Sequence, residues 1–200
     1  MSSAPSLHVF PLRAMRYRIF TGSLPDMEWA WLIPLFSVAA APLIILFGKY
    51  LPGKGSFLAI IAVAAGFGLS CWVFWGWLAA DAATEDCHTS PETGVLTCEY
   101  QRIWFQAGTP GAEDHVDQGV RLVLGVVIDP LTLSMLGLIT FVALMVQVYS
   151  LGYMRGEPRL DWYYAYHALF AASMLTLVLA DNFLLLYFGW ELVGLCSYLL

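Results

Sequence analysis

The feature that most constrains this chain is a series of apolar stretches, each long enough to cross a lipid bilayer as a helix. A helix needs about 20 residues to span the ~30 Å hydrocarbon layer. Three stretches without Asp, Glu, Lys or Arg lie at residues 29–47, 56–80 and 131–154, and a longer apolar stretch covers 162–200. Only 12% of the residues are charged, against about 25% in soluble domains. The sequence therefore predicts an integral membrane protein.

The last apolar stretch is too long for one crossing and predicts two antiparallel helices. Asp181 and Asn182 interrupt it, and this pair suits a tight turn followed by a helix N-cap. The fold class is thus an all-α polytopic membrane protein with five transmembrane helices. We expect helices 1 and 2 in residues 29–80, an acidic outer loop at 81–129, and helices 3 to 5 in 130–200, with the fifth cut close by the end of the chain.

Glu191 lies inside the fifth predicted helix, in the run FLLLYFGWELVGLCSYLL at 183–200. Helical rise places it roughly 12 Å from the start of that run. A charged acid at such a depth costs about 3 kcal/mol on insertion scales, so an ionisable residue there is a functional-site hypothesis by default. We expect Glu191 to take part in proton transfer. The alternative is a structural glutamate that is protonated or hydrogen-bonded between helices.

Helical spacing places Glu191 on one face with six other residues. They are Leu184, Tyr187, Phe188, Gly194, Leu195 and Tyr198. The two tyrosines offer hydrogen bonds, and Gly194 leaves room for a partner helix or a water. Burial favours the neutral acid and a nearby cation favours the charged form, so an acid between these two effects can load and release a proton. No Lys or Arg occurs in residues 162–200, so a cationic partner must come from another helix.

His167 is the other titratable group that we single out within a predicted span. It lies five residues after Trp162, close to the end of the fourth helix. Near an interface, a histidine is more often solvated or snorkelling than part of a proton relay. We therefore expect a solvated side chain, with a role in proton uptake as the alternative.

The charges predict how the helices are oriented in the membrane. Of the 15 acidic residues, nine lie between the second and third spans: Asp81, Glu85, Asp86, Glu92, Glu99, Glu113, Asp114, Asp117 and Asp129. Lys49 and Lys54 flank the first short loop, and Arg155 and Arg159 lie in the third. The excess of basic residues in cytoplasmic loops places both short loops inside and the acidic loop and N-terminus outside.

Arg13, Arg16 and Arg18 disagree with an outer N-terminus. They belong to a leader or extension at residues 1–28 that lacks the apolar run of a cleaved export signal. An interfacial amphipathic helix is one interpretation. The other is that translation starts at Met27, directly before the first span.

The acidic outer loop predicts a small β-hairpin. Residues 95–105 and 120–128 are rich in β-branched and aromatic side chains and flank a Gly/Pro/Asp stretch. Asp129 and Pro130 then suit the N-cap and first turn of the third helix.

Cys87 and Cys98 lie in the same outer loop, where a disulfide can persist. A metal site formed by the two cysteines and His88, with His115 as an additional candidate ligand, matches no tight ligand spacing. A pair of free thiols is the third interpretation. Cys71 and Cys196 fall within spans and are expected to act as small apolar residues.

Two segments resemble subunit L of respiratory complex I, called chain 5 in mitochondria. They are DPLTLSMLGLITFVALMVQVYSLGYM at 129–154 and ADNFLLLYFGWELVGLCSYLL at 180–200. The resemblance implies an antiporter-like bundle of about fourteen helices, of which this chain matches the first third, and an outer β-hairpin. It also implies that Glu191 matches an essential glutamate of the fifth helix, with partner lysines on later helices. The leader and His167 depart from the family pattern.

The resemblance implies a proton-translocating subunit of an NADH:quinone oxidoreductase, a translocase without redox chemistry in this chain. Flavin (FMN) and iron–sulfur clusters are expected in partner subunits, and no cofactor or metal here. Its partners would be other membrane subunits, the lipid bilayer and protons, with no nucleic acid, in the inner (cytoplasmic) membrane. The alternatives are a cation/proton antiporter subunit, an ion-coupled bicarbonate transporter subunit, and an inert membrane anchor.

Overall fold

A computed structural model describes residues 27–79, 87–89, 94–107 and 120–200. Its five α-helices are α1 Leu32–Phe47, α2 Ser56–Ala79, α3 Pro130–Tyr153, α4 Leu160–Leu179 and α5 Phe183–Leu199. Short 3-10 turns at Met27–Trp31 and Pro52–Gly55 lead into α1 and α2. Within the described ranges, four helices are long and apolar enough to cross a membrane, and α5 is a shorter apolar helix of 17 residues. The predicted all-α polytopic fold is confirmed.

Several predictions fall outside the residues that the structure describes. These are the leader at 1–26 and His115. The start at Met27 and the proposed boundaries of the leader therefore stay predictions.

The starts of α3 and α5 follow the capping residues that the sequence indicated. The Asp129 carboxylate accepts a hydrogen bond from the Thr132 backbone N–H at 2.6 Å, and Pro130 is the first helical residue. The Asn182 side-chain oxygen accepts from the Leu185 backbone N–H at 2.9 Å. Both caps satisfy donors that have no partner within the helix. The predicted turn at Asp181 and Asn182 between α4 and α5 is confirmed.

Helix α4 is the central helix of the described bundle, since it packs against α1, α2, α3 and α5. Its buried surface is rich in alanine: Ala165, Ala168, Ala171 and Ala172 are all at most 1% exposed. Small side chains let helix backbones approach closely, which is how helices associate where lipid removes most of the hydrophobic driving force.

Two small residues of α2, Gly66 and Ser70, pack against the neighbouring helices α1 and α3. A Cβ added at Gly66 would lie 3.5 Å from the backbone oxygen of Ile33 in α1 and 3.9 Å from Cγ2 of Thr140 in α3. The Ser70 hydroxyl lies 3.3 Å from the Thr140 hydroxyl, and both are buried. Small residues on α2 thus let α1 and α3 approach it closely.

Residues 48–55 and 154–159, the two short loops with basic residues, lie at the same end of the bundle. The Lys54 ammonium donates to the backbone oxygen of Pro158 at 3.1 Å. Gly53 and Gly55 have φ of 65° and 84°, left-handed values that glycine adopts without steric cost. We call this the basic end of the bundle. The contact agrees with a topology in which both loops lie on one side of the membrane.

The opposite end carries a three-stranded antiparallel sheet in the order β1–β2–β3. The strands are β1 Cys87–Thr89, β2 Leu96–Ala107 and β3 Val120–Ile128, with an irregularity between Ile103 and Phe105. The predicted hairpin is therefore confirmed. The short strand β1 was not predicted, because three residues carry too little periodicity to register as a strand.

The sheet packs onto the helix ends and shares their core. Cys87, Cys98 and Ile128 join one buried cluster with helix residues that include Leu136 and Leu175. At its edge, Val126 forms a β-bridge with Ala180 in the turn between α4 and α5. The sheet thereby contacts the turn from which the glutamate-bearing helix α5 begins.

Candidate functional site

Helix α5 is positioned by its contact with α4. A Cβ added at Gly189 would lie 3.0 Å from the backbone nitrogen of Leu177, so the two helices touch here without a side chain between them. About two turns further along α5, the buried Cys196 thiol lies 4.0 Å from the Ser173 hydroxyl. These two residues define the side of α5 that faces the bundle.

The opposite side of α5 carries Glu191 and is exposed along its whole length. All seven residues predicted to share one face are exposed: Leu184, Tyr187, Phe188, Glu191, Gly194, Leu195 and Tyr198. We call this set the glutamate face. It points away from the other described helices, because Gly189 and Cys196 occupy the packed side. The helical period thus predicted which residues share this face, and the structure shows that the face points outward.

The immediate surroundings of Glu191 combine one donor with open space. The Tyr187 hydroxyl, one turn earlier, interacts with the Glu191 carboxyl through a hydrogen bond. The Tyr187 ring in turn contacts Trp190, with ring centroids 6.0 Å apart. A Cβ at Gly194 would meet nothing within 4 Å in the described part of the chain. Tyr198, the second predicted hydrogen-bonding residue, is 86% exposed.

This arrangement can hold a proton and pass it to a group that approaches the glutamate face. A phenol can donate to the carboxylate or accept from the carboxylic acid, so Tyr187 accommodates both protonation states of Glu191. The space at Gly194 lets a second helix or a water come close to the carboxyl. The described residues of α4 and α5 contain no Lys or Arg, so the counter-charge must come from elsewhere.

His167 does not have the solvated position that we expected, and this prediction is wrong. The side chain is 9% exposed, and its Nδ1 lies 3.2 Å from Nε2 of Gln147 in α3. The rings of Tyr163 and Phe170 flank it at 6.0 and 6.5 Å. The physical reason is that α4 is the central helix, so the side of α4 that carries His167 faces α3 rather than lipid or water.

Gln147, the hydrogen-bonding partner of His167, was not predicted from the sequence. It is fully buried at the interface of α3 and α4. Ser150, one turn further along α3, is buried as well and pairs with the Tyr163 hydroxyl at 2.8 Å. A signal was present in the sequence, since Gln147 interrupts an apolar span as Glu191 does. Its neutral amide made it less conspicuous than a carboxylate.

Cys87 and Cys98 are joined by a disulfide in the structure. They lie on paired positions of β1 and β2, and both are buried, at 6% and 0% exposure. Their sulfur atoms bond to one another, so in this form they offer no thiolate to a metal. Among the described residues there is no cluster of three or more His, Cys, Asp or Glu side chains that could hold a metal ion.

Comparison with known protein families gives one match, to the N-terminus of chain 5 of NADH-ubiquinone oxidoreductase (complex I). The match covers residues 116–164. This range contains β3, all of α3 and the first turn of α4.

Individual relatives extend the similarity over most of the chain. Subunit L of the F(420)H(2) dehydrogenase of Methanosarcina mazei is 38% identical over 173 residues, which are 86% of this chain and 22% of that protein. Subunit L of the NADH-quinone oxidoreductase of Mycobacterium tuberculosis is 34% identical over 173 residues, 86% of this chain and 24% of the relative. Chloroplastic NAD(P)H-quinone oxidoreductase subunit 5 of Mesostigma viride is 36% identical over 182 residues. The chain spans about a quarter or less of the length of these relatives.

Proposed function

Because this chain is related over most of its length to the subunit L and chain 5 proteins of NADH-quinone oxidoreductase, we propose that it moves protons as a membrane subunit of such a complex. Electron transfer would take place in other subunits and would be coupled to proton movement through a half-channel that contains Glu191. The observation that carries this proposal is the position of Glu191, inside an apolar helix and on a face that the described bundle leaves open.

The cost of placing Glu191 in a membrane supports a function for it. A charged acid near the middle of a bilayer costs about 3 kcal/mol or more, and a hydrogen-bonding contact with Tyr187 leaves much of that cost in place. A structural role would be served better by burial against α4, where Ser173 and Cys196 already form a polar contact. The outward direction instead suits an acid that meets a mobile or distant partner.

The partner of Glu191 is expected on a segment outside the described residues. The glutamate face is apolar around the carboxyl, with Leu184, Phe188 and Leu195 exposed. A helix packed there would exclude water and bring a cation or a polar group near Gly194. A nearby cation favours the carboxylate and its withdrawal favours the acid, so movement of the partner would drive proton release and uptake.

The electron donor is not determined by this part of the protein. The relatives include a subunit named for F(420)H(2) and others named for NADH or NAD(P)H. We therefore propose that flavin and iron–sulfur chemistry belongs to partner subunits, and that the same membrane subunit serves different donors. NADH is our proposal for this protein.

The proposed location is the inner (cytoplasmic) membrane, with the basic end of the bundle in the cytoplasm. The contact between Lys54 and Pro158 places both basic loops at one end. The disulfide-bearing sheet lies at the other end, which would face the oxidising side where such a bond persists. The basic loops and the disulfide thus favour the same orientation, with the basic end in the cytoplasm and the sheet on the oxidising side.

The experiment that tests the function replaces Glu191 by Gln in the full-length chain within its complex. Glu191→Gln removes the titrating group and a costly charge but keeps shape and hydrogen bonding. We expect normal assembly with proton uptake into vesicles reduced by about tenfold or more, because a positioned acid or base contributes at least that much to proton transfer. Electron transfer falls too if the two steps are tightly coupled.

Glu157→Gln is the matched control. Glu157 is an exposed acid at the basic end and should tolerate the same change without loss of pumping. Normal pumping by the Glu191→Gln complex would show that Glu191 is structural. Cation exchange that persists in vesicles with no electron donor would favour the antiporter alternative.

A further inference from the structure

A cluster of buried polar side chains lies between α3 and α4, about 10 Å from the basic end of the bundle by helical rise. Its centre is the pair Gln147 and His167, with 3.2 Å between Nε2 and Nδ1. The Tyr164 hydroxyl donates to the backbone oxygen of Gln147 at 3.1 Å. Buried polar groups cost free energy unless they are hydrogen-bonded, and here a titratable imidazole is among them.

The Gln147 amide can serve both protonation states of His167. In the orientation of the structure the Gln147 NH₂ group lies against Nδ1 and can only donate, an arrangement that suits a neutral imidazole with Nδ1 as the acceptor. The amide oxygen of Gln147 is buried and accepts no hydrogen bond from the described residues. A half-turn of the amide would bring this oxygen to Nδ1, where it would accept a hydrogen bond from the imidazolium.

A cavity at the basic end of the bundle reaches Tyr163, whose ring contacts His167 of the cluster. It has a volume of about 620 Å³, and Arg159, Trp162, Tyr163 and Tyr166 line it. Tyr163 both lines the cavity and contacts the polar cluster. Its hydroxyl lies 2.8 Å from the Ser150 hydroxyl, and its ring lies 6.0 Å from the His167 ring. Tyr163 therefore stands between the aqueous end and the buried imidazole.

We propose that His167 and Gln147 form an intramembrane proton-binding site, loaded from the basic end through the hydroxyls of Tyr163 and Ser150. A hydronium ion in the cavity gives its proton to the pair formed by the Tyr163 and Ser150 hydroxyls and leaves as water. The pair then passes a proton on to Nδ1 of His167, whose hydrogen-bond contact in the structure is Gln147. The Gln147 amide turns at the same time, and its oxygen accepts from the new N–H. The site is distinct from Glu191, which lies on the exposed side of α5, and it would exist whether or not Glu191 pumps protons.

In the proposed site, His167 is the group that takes up the proton among the ionisable groups of α3 and α4. From α4, the Tyr163 ring lies 6.0 Å from the His167 ring, and the Tyr164 hydroxyl donates to the Gln147 backbone oxygen. On α3, Tyr149 and Tyr153 are exposed and stack on one another.

Groups on the remaining helices and loops lie elsewhere. The described residues of α1 contain no ionisable side chain, and α2 contributes only Cys71, which is exposed. On α5, Glu191, Tyr187 and Tyr198 point away from the bundle, and Cys196 contacts Ser173. Arg159 lines the cavity at the basic end of the bundle.

The test is solid-state NMR of the full-length chain in lipid vesicles, with the histidine rings labelled with ¹⁵N. The neutral ring and the imidazolium give different ¹⁵N shifts, and the His167 signals are those missing from His167→Gln, or from His167→Asn if the first variant does not accumulate. We expect reversible conversion to imidazolium on acidification between about pH 8 and pH 5. A ring that stays neutral throughout this range overturns the proposal.

Three variants test the path and the acceptor. Gln147→Leu removes the amide oxygen and should leave about tenfold less imidazolium at a given pH, because a hydrogen bond to a charged group is worth about 1.5–3 kcal/mol. Tyr163→Phe should keep the same end points but slow the exchange of the ring proton with solvent. Thr176→Val is the control on α4, since its hydroxyl donates to the Ala172 backbone oxygen of the same helix at 2.9 Å. Unchanged titration in Gln147→Leu would contradict the assignment of the acceptor.

Discussion

Glu191 and His167 represent two ways in which a membrane-spanning helix holds an ionisable side chain. Glu191 faces outward from the described bundle, with Tyr187 beside it on the same helix. His167 faces inward and shares a hydrogen bond with Gln147 from the neighbouring helix. The neighbour of the Glu191 carboxyl thus lies on its own helix, whereas the partner of the His167 ring lies on the adjacent helix α3.

The first prediction for a single residue concerns the length of the acidic side chain at position 191. Glu191→Asp keeps the ionisable group but shortens the side chain by one methylene. We expect proton uptake between that of the wild type and of Glu191→Gln, because a bridging water can restore part of the lost reach. Proton uptake into vesicles, normalised to assembled complex, measures it. If Asp is as poor as Gln, the carboxyl needs direct contact with its partner.

Gly189 determines how closely α5 can approach α4. A Cβ there would lie 3.0–3.1 Å from atoms of Leu177, two of which are backbone. Gly189→Ala should therefore destabilise the packed pair by about 1–3 kcal/mol, the usual cost of overpacking. Thermal unfolding of the full-length chain in detergent measures the effect. Gly137→Ala is the control, since a Cβ at that helical glycine would meet nothing within 4 Å of the described residues.

At the level of elements, the three-stranded sheet contacts the start of α5. Strand β3 forms a bridge from Val126 to Ala180, and the Asp181 side chain lies against Gly125. The Asn182 amide donates to the Asp181 carboxylate at 2.6 Å, and Asn182 also caps α5. The sheet thus fixes the turn from which the glutamate-bearing helix begins.

This contact can be examined with a double-mutant cycle. A side chain at Gly125 would overlap the Asp181 carboxylate, so Gly125→Ala should lower the melting temperature of the full-length chain by a few degrees. Asp181→Ala in the same chain should restore part of the loss, because it removes the overlapping group. Additive effects of the two substitutions would show that Gly125 and Asp181 do not interact.

The bond between Cys87 and Cys98 links β1 to β2. We expect mass spectrometry of non-reduced peptides to show one linked pair. Replacement of both cysteines by serine should lower stability by about 3 kcal/mol in the chain-entropy estimate for a loop of this size. Quantitative alkylation of both cysteines without a reductant would show that the thiols are free in the mature protein.

For the whole molecule, the two ends of the bundle differ in chemistry. The basic end joins its two loops through Lys54 and opens into the cavity at Arg159. The other end is covered by the disulfide-linked sheet, which shares a core with the helices. This asymmetry agrees with the proposed orientation, in which the basic end lies in the cytoplasm.

The topology is tested by labelling single cysteines in a chain without the other four. Glu113→Cys should react with a membrane-impermeant reagent from the outside and Glu157→Cys only from the cytoplasm, because the basic residues lie in the loop that contains Glu157. The measurement is labelling of intact cells against inverted vesicles. Reaction of position 113 only from the cytoplasm would reverse the orientation.

The sequence by itself determined the number and approximate position of the helices, the hairpin, and the face that carries Glu191. Each depends on local signals: the length of an apolar run, a capping side chain such as Asp129 or Asn182, or a helical period. Such signals lie within a few turns of the chain, so they can be read without knowing how the helices pack.

Only the tertiary structure decided which side of each helix is covered. It placed α4 at the centre, which buried His167 where a solvated residue was expected and brought Gln147 to its ring. It also directed the glutamate face outward and placed Asp181 against Gly125. The physical reason is that membrane helices are apolar on every side, so the pattern of polarity that marks the buried face in a soluble protein is weak, and close contacts between small residues choose it instead.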